Sequence, residues 1–539
     1  MKQILQIVQM ACGMLFLHGS IAGQIMISGQ NSLGGSQDEE SGSASLYPAA
    51  DGNYWLGMLS ASPVSGNKTD GLYGVTDAWI TKITPDGTLL WQKTYGGTES
   101  DYSISVLEHA GAAYFGISSV SAVSGNKTVP RYGNSLATYS DFWIVKATPD
   151  GDEIWQKLYG TVMPDILKQM MALPNGNILL GGTSIGGISI DKSEASRGVN
   201  DIWCLVIDTA GNKIWDKTIG ANNNEYLEFM AFCSDGIILG AKTQSGISGD
   251  KQTPYYGGGS DAWIIKLGFD GSLLWEQTLG GTNHDLLISL SVADDRIYCV
   301  GTSLSAPGGN LDIENKGALD GWIAELDVNN GAVIRTKSFG GSSFDYFSYV
   351  EKLYDDRVLI MGTSKSGIDG DKTLPSIGEE DIWILLLNEQ WEIIEQYVIG
   401  GTDTDFAINT CKNNDGSHTL VANGRSPVGA DKTTPAYGGK DTWVMRLQHS
   451  LGNGEMSGPV VMLYPNPATD VCNMVLPANA VYEKLRIVNA SGQTVYETSL
   501  NQAEGSTYTL NTASWAPGAY FIDLQNKKGL SLRSTLLKK

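Results

Sequence analysis

Seven Asp-x-Trp triplets recur along the chain at nearly constant spacing. The pairs are Asp77/Trp79, Asp141/Trp143, Asp201/Trp203, Asp261/Trp263, Asp320/Trp322, Asp381/Trp383 and Asp441/Trp443, and the aspartates are 64, 60, 60, 59, 61 and 60 residues apart. A fixed period of this length means one supersecondary unit copied in series. Whatever recurs in every copy reads first as architecture.

Residues 96–160 serve as the type unit. A Gly-Gly turn (96–101) leads into an alternating strand over 102–107, a short turn and a second strand over 113–118. A polar loop with Ser124-Gly-Asn-Lys-Thr128 follows, then a strand over 141–146, the turn Thr148-Pro-Asp-Gly151 and a strand over 153–159. Period-two alternation between such turns predicts four short antiparallel strands per unit. Four-stranded sheets repeated four to eight times are the blades of a β-propeller. A linear β-solenoid would use shorter rungs and fewer hairpin turns.

The ends of the array complement each other. The last Asp-x-Trp strand, 441–447, has no fourth strand after it, and 25–33 has no third strand before it. Gly29-Gln-Asn-Ser-Leu-Gly-Gly35 aligns with Trp91-Gln-Lys-Thr-Tyr-Gly-Gly97. The N-terminal strand is therefore expected to complete the last sheet, leaving no open edge. The fold expectation is all-β: a seven-bladed β-propeller over 24–450, a linker over 451–459 and a small Ig-like β-sandwich over 460–539. The seven Asp-x-Trp indoles are expected to be buried between neighbouring blades.

Residues 1–23 read as a secretory signal, with Lys2 the only charge, an apolar stretch, and Ser20-Ile-Ala22 as a small-x-small cleavage pattern. The apolar run is interrupted and too short to span a membrane. Cys12 lacks the surroundings of a lipid-attachment site, and no other segment is apolar enough to cross.

The C-terminal eighty residues differ from the repeats. Tyr464-Pro465-Asn466-Pro467-Ala-Thr-Asp470, a Gly-x-x-Val turn at 492–495, Gly518-Ala-Tyr520 and the terminal Lys538-Lys539 occur in that order. This region closely resembles the type A C-terminal sorting domain of the type IX secretion system of Bacteroidota. The resemblance implies handling by that machinery, passage across the outer membrane, removal of the domain, and release or attachment to surface lipopolysaccharide. The array over 24–450 resembles the propeller-like repeats found ahead of such domains, which implies a fold but no agreed activity.

The formal charge is −22. The sorting region holds seven Lys/Arg against five Asp/Glu, so the acidity lies in the repeats. Such a field repels nucleic acid and anionic membrane. Five cysteines remain beyond Cys12, an odd and scattered set that is no disulfide framework. They read as small core residues.

Several chemistries are open to these residues. The turn acids Glu39, Asp101, Asp165, Glu225, Asp285, Asp345 and Asp405 and the seven Asp-x-Trp acids could form glycosidase pairs, but a catalytic pair occurs once and these occur in every unit. They are expected to cap backbone N–H groups. The loop motif Ser-x-[Asn/Asp]-Lys recurs around Lys68, Lys127, Lys192, Lys251, Lys372 and Lys432, and the fifth copy has Leu311 instead. It predicts Lys–Asp pairing and loop order, with a ligand-binding face as the functional reading. Serine–lysine catalysis would need a unique helical copy. Asp369-Gly-Asp371 and Asp150-Gly-Asp152 could offer Ca²⁺ oxygens, although the full loop pattern is missing. No other cofactor is expected. The fourth-strand Trp (Trp91, Trp155, Trp215, Trp275) becomes Arg335 and Glu395 in later copies. The combined expectation is a non-enzymatic secreted or cell-surface binding or scaffold protein with a glycan or protein ligand. The alternative is a secreted polysaccharide hydrolase or lyase, since propellers host both.

Overall fold

A computed structural model describes residues 24–133, 139–353 and 355–450, and towards the C terminus 462–464, 468–475, 482–489, 493–500, 507–516, 518–526 and 531–538. The expected signal segment 1–23, the linker 451–459, and Pro465, Asn466, Pro467 and Lys539 of the sorting signature lie outside the described residues. The described chain is all-β, and none of its residues form a helix long and apolar enough to cross a membrane. It separates into a compact unit over Ile25–His449 and a second unit that includes the C-terminal residues.

Within the first unit the strands form seven four-stranded antiparallel sheets. Six consist of four consecutive strands, such as Asp165–Ala172, Ile178–Ser184, Asp201–Ile207 and Lys213–Ile219. The seventh joins the two ends: Gln24–Leu33 pairs with Asp441–Ser450, beyond which lie His418–Gly424 and Asp405–Lys412. First strands of successive sheets pack side by side in a closed circle, in which Asp405–Lys412 meets Glu39–Pro48. In the type unit the first two strands run Asp101–His109 and Ala112–Ser119, longer than the alternation suggested because they pair through to the turn.

Each Asp-x-Trp indole is fully buried, and it packs against the third strand of the preceding sheet. Trp143 shares a cluster with Ala78 and Ile80, Trp203 with Phe142 and Ile144, Trp263 with Ile202 and Cys204, and Trp383 with Ile323. The Trp143 ring also meets Tyr95 of the preceding sheet edge-on, with ring centres 6.4 Å apart. Trp79 meets Val421 and Val444 of the last sheet, so the apolar contact also closes the circle. Six of the seven indole N–H groups donate to a side chain thirteen residues on, or to Gln30 in the closing sheet. Trp322 is the exception, with its Nε1 buried and unpartnered among the described residues.

In the second unit, a sheet of Met462–Tyr464, Val471–Val475 and Thr507–Asn511 accompanies a sheet of Thr494–Ser499, Tyr482–Asn489, Gly518–Asn526 and Ser531–Lys538. Both contribute to one core, with Cys472, Met474 and Leu510 from the first and Ile487, Ile522 and Leu536 from the second. The five described cysteines are free thiols.

Truncating a large aromatic side chain in such a packed site removes its transfer energy and leaves a cavity. Trp203→Ala is expected to lower stability by about 3–5 kcal/mol, measured as the shift in a chemical denaturation curve of the purified protein.

Candidate functional site

The two repeated acids have distinct jobs, and both are met by backbone. Each turn carboxylate accepts from the N–H four residues before it, at 2.6–2.9 Å, from Gly35 through Gly401. Each Asp-x-Trp carboxylate accepts an N–H from the loop that precedes its strand, at 2.5–2.9 Å: Tyr73, Tyr132, Arg197, Tyr256, Lys316, Ile377 and Tyr437. Asp381 takes a further N–H from Gly378 at 3.0 Å. A carboxylate that accepts N–H bonds fixes a turn and satisfies donors that would otherwise be orphaned.

The two motifs meet at the junction between sheets. The first glycine of each turn lies directly over the preceding sheet's Asp-x-Trp carboxylate. A Cβ on Gly96 would fall 2.1 Å from Asp77 Oδ1, and one on Gly220 would fall 1.9 Å from Asp201 Oδ1. Only glycine fits there. The next sheet's turn acid then donates its own N–H back to the residue before that aspartate. Asp101 N binds Thr76 O, Glu225 N binds Asn200 O, and Glu39 N binds Lys440 O across the closure, all seven such bonds being 2.6–2.8 Å long.

The repeated lysines differ from expectation. They form no ion pair with a carboxylate among the described residues. Lys68, Lys127, Lys192, Lys372 and Lys432 instead donate to a carbonyl six residues earlier, at 2.7–3.1 Å. Lys251 donates to the carbonyls of Thr253 and Pro254. All six are at most 2% exposed. The chain folds the loop around the ammonium, so these lysines order the loop and offer no charge to a ligand on the surface. The indoles do more than the packing expected of them. Lys127 Nζ lies 5.9 Å from the centre of the Trp143 ring, and Lys432 Nζ lies 5.7 Å from that of Trp443. In these two sheets the loop cation, expected on an aspartate, rests over the motif's own aromatic face, which attracts it through the ring quadrupole.

Each lysine lies within the field of its own sheet's two acids: Lys127 feels Asp101 and Asp141, and Lys432 feels Asp405 and Asp441. Across each junction the Asp-x-Trp acid feels the next turn acid, as Asp141 feels Asp165 and Asp441 feels Glu39. The result is a buried circular belt of fourteen carboxylates with six lysines. Burial pushes the carboxyls of Asp141 and Asp261 up to about 7, and those of Asp77, Asp165, Asp320 and Asp441 up to about 6. The neighbouring acid adds to the rise for Asp77, Asp141, Asp261 and Asp320. Burial also pulls Lys127 down to about 8. Oδ1 of Asp77, Asp261 and Asp320 is buried without a hydrogen-bond partner among the described residues, and a neutral carboxyl costs less there than an ionised one.

Unrepeated chemistry is found elsewhere, where no motif marked it. On the strand ends beside the junctions, Asn200 Nδ2 donates to Asn224 Oδ1 (2.6 Å) and Tyr226 Oη (3.1 Å), and Asn224 Nδ2 donates to Gln244 Oε1 (2.9 Å). Lys242 lies 4.8 Å from the centre of the Tyr226 ring. Elsewhere Glu351 accepts from Lys412 (2.6 Å), His418 (2.7 Å) and Tyr349 (3.1 Å), and His418 and Lys412 hold its carboxyl near 2 despite burial.

The fifth sheet departs from the pattern three times. Leu311 replaces the lysine and is fully buried, Thr336 stands where a Gln, Asp or Glu meets the indole N–H, and Arg335 replaces the fourth-strand Trp. The last change is answered across the junction. Trp91, Trp215 and Trp275 each lie against the turn glycine of the next sheet, at Gly151, Gly271 and Gly331, all with positive φ. At the fifth junction the indole moves to that turn: Trp391 takes the glycine position with φ 59°, and the Arg335 guanidinium lies 4.0 Å from its ring centre. A left-handed conformation costs a non-glycine residue roughly 1–2 kcal/mol, and the stacked cation offsets part of that cost.

In the C-terminal unit, Tyr464 ends its strand, Tyr520 is buried with its hydroxyl on Ala516 O at 2.7 Å, and Gly518 pairs with Lys538. Lys538 also bridges to Ala468, which brings the two ends of the expected sorting signature together. Among the described residues no group of three or more His, Cys, Asp or Glu side chains could hold a metal ion. Asp369 and Asp371 are engaged by Ser342 and Gly340.

Residues 462–539 match the family described as Secretion system C-terminal sorting domain. The regulatory protein FlaEY of Caulobacter vibrioides is 22% identical over 60% of this chain, and the chain spans only about a third (36%) of its length. Among solved structures, the Pan2 WD40 domain of Neurospora crassa is similar over 77% of this chain and 92% of its own, with 10% identity and a TM-score of 0.41. The endosialidase of phage phi92 is similar over 96% of this chain and 87% of its own, with 10% identity and a TM-score of 0.39. At these scores the likeness carries no functional meaning.

The belt makes pH a direct probe. An aspartate whose carboxyl is raised on folding takes up a proton in the native state between its unfolded value near 4 and its folded value of 6–7. Its contribution is complete at the acid end of that window and is lost as pH rises through 6–7. Glu351 acts with the opposite sign, and only below its ordinary range. The melting temperature is therefore expected to be higher at pH 5 than at pH 7.5, measured by scanning calorimetry at fixed ionic strength. The chain thus joins a propeller-like, all-β arrangement with a buried carboxylate belt to a C-terminal sorting domain of the type IX secretion system.

Proposed function

We propose that residues 24–450 form a seven-bladed β-propeller acting as a non-enzymatic binding or scaffold module. In this reading 1–23 is a signal peptide, 451–459 is a linker, and the sandwich over 460–539 delivers the protein through the periplasm to the outer-membrane surface or beyond. One observation carries it. Every repeated carboxylate and lysine that could be mistaken for catalytic machinery is buried and spent on backbone groups. The matching sorting family supports the destination.

The cluster of Asn200, Asn224, Tyr226 and Gln244 supports the binding half. Amides offer paired donors and acceptors, and an aromatic face takes apolar C–H surface. That combination suits the polar edge of a glycan or an extended peptide. The test is a glycan and protein array with the full purified protein, run beside a polysaccharide-degradation screen. The reading predicts saturable binding without product, weakened about tenfold or more by Tyr226→Ala. Turnover of a glycan would overturn it in favour of a hydrolase or lyase.

A further inference from the structure

A cavity of about 280 Å³ lies at the junction of the fifth and sixth sheets, with Arg335 in its lining. Apart from Tyr298, its lining residues are all charged. Arg335 pairs with Glu325 at 2.6 Å, and Arg296 reaches the other oxygen of the same carboxylate at 3.3 Å. Lys352 is held between Asp294 (3.1 Å) and Asp356 (2.8 Å). Every cation lining the space is thus already paired. Asp295 and Glu389 also line it, both are exposed, and neither forms an ion pair among the described residues. Five carboxylates therefore face three committed cations, within a chain of formal charge −22.

We infer that this cavity is a binding site for a compact organic cation bearing a guanidinium or primary ammonium group. An anion would have to displace Glu325, Asp294 or Asp356 from their partners. A cation needs only Asp295 and Glu389, whose carboxylates can accept charge-assisted hydrogen bonds. The acidic field concentrates cations at the surface. The volume suits one side-chain-sized ligand, since sites for drug-sized molecules run from about 300 Å³ upward. Units with a fourth-strand Trp against a turn glycine, such as Trp275 and Gly331, have an indole where this sheet has Arg335. The site belongs to one junction and does not depend on the binding face proposed above.

The source of the cation is either a free small molecule or a basic side chain on a polypeptide, and calorimetric titration of the full protein at low salt separates them. The probes are agmatine, a blocked tri-arginine peptide, and inorganic phosphate. Saturable one-to-one binding of agmatine or of the peptide is expected, with none for phosphate. Binding of agmatine alone identifies the small-molecule source, and binding of the peptide alone identifies the polypeptide source. Asp295→Asn and Glu389→Gln should each weaken binding about tenfold or more. Arg335→Trp combined with Trp391→Gly restores the ordinary pair and should abolish binding. Should that double variant fail to fold, the two surface variants carry the test. Absence of binding by both cationic probes, binding of phosphate in their place, or affinity unchanged in Asp295→Asn and Glu389→Gln would overturn the inference.

Discussion

Seven times over, a carboxylate at the start of one sheet's third strand sits beneath a glycine of the next sheet's opening turn, and most of the molecule depends on that contact. It explains why the Asp-x-Trp and Gly-Gly signatures travel together. The aspartate holds the loop before its own strand and leaves room for a turn whose acid holds itself. The tryptophan two residues on fills the gap to the preceding sheet, as Trp143 does against Ala78 and Ile80. Polar and apolar contacts between sheets are thus set by two residues of one strand, the aspartate and the tryptophan. Burying so much charge is costly. The cost is limited by backbone donors, by the six lysines, and by proton uptake at the most crowded aspartates.

The fifth sheet shows what happens when parts of this scheme are exchanged. Without its lysine, an aliphatic side chain fills the space and Asp285 takes three hydrogen bonds, from Gly281, Ser303 and Ser305. Without its fourth-strand indole, the neighbouring turn supplies one from a strained position. An indole is kept at that junction, on the other side of it, and Arg335 lines a largely charged cavity there.

The fold was largely legible because a repeat samples the same physics many times. Alternation and turn residues located the strands, and the alignment of Gly29–Gly35 with Trp91–Gly97 placed Gln30 where Gln92 stands, so that Trp443 and Trp79 find equivalent acceptors. Capping by the acids followed from their position after a glycine turn. The lysines were misjudged as partners of aspartate, because sequence shows the charges but not the backbone carbonyl six residues back that receives Nζ, nor the Trp143 face beneath Lys127. The unrepeated clusters around Tyr226, Glu351 and Arg335 were not legible as sites. Their members lie on different strands and meet only when the sheets stack. Arg335 looked like decay of a motif, and its answer at Trp391 became visible only across the junction.

Hydrogen exchange at the seven turn-acid amides, Glu39, Asp101, Asp165, Glu225, Asp285, Asp345 and Asp405, tests the junction most directly, since each donates to the sheet before it. The account predicts slow exchange at all seven, with Glu39 protected to the same degree as the others because its bond to Lys440 O closes the circle. Exchange at Glu39 at the rate of an exposed loop, while the other six stay protected, would contradict a closed ring.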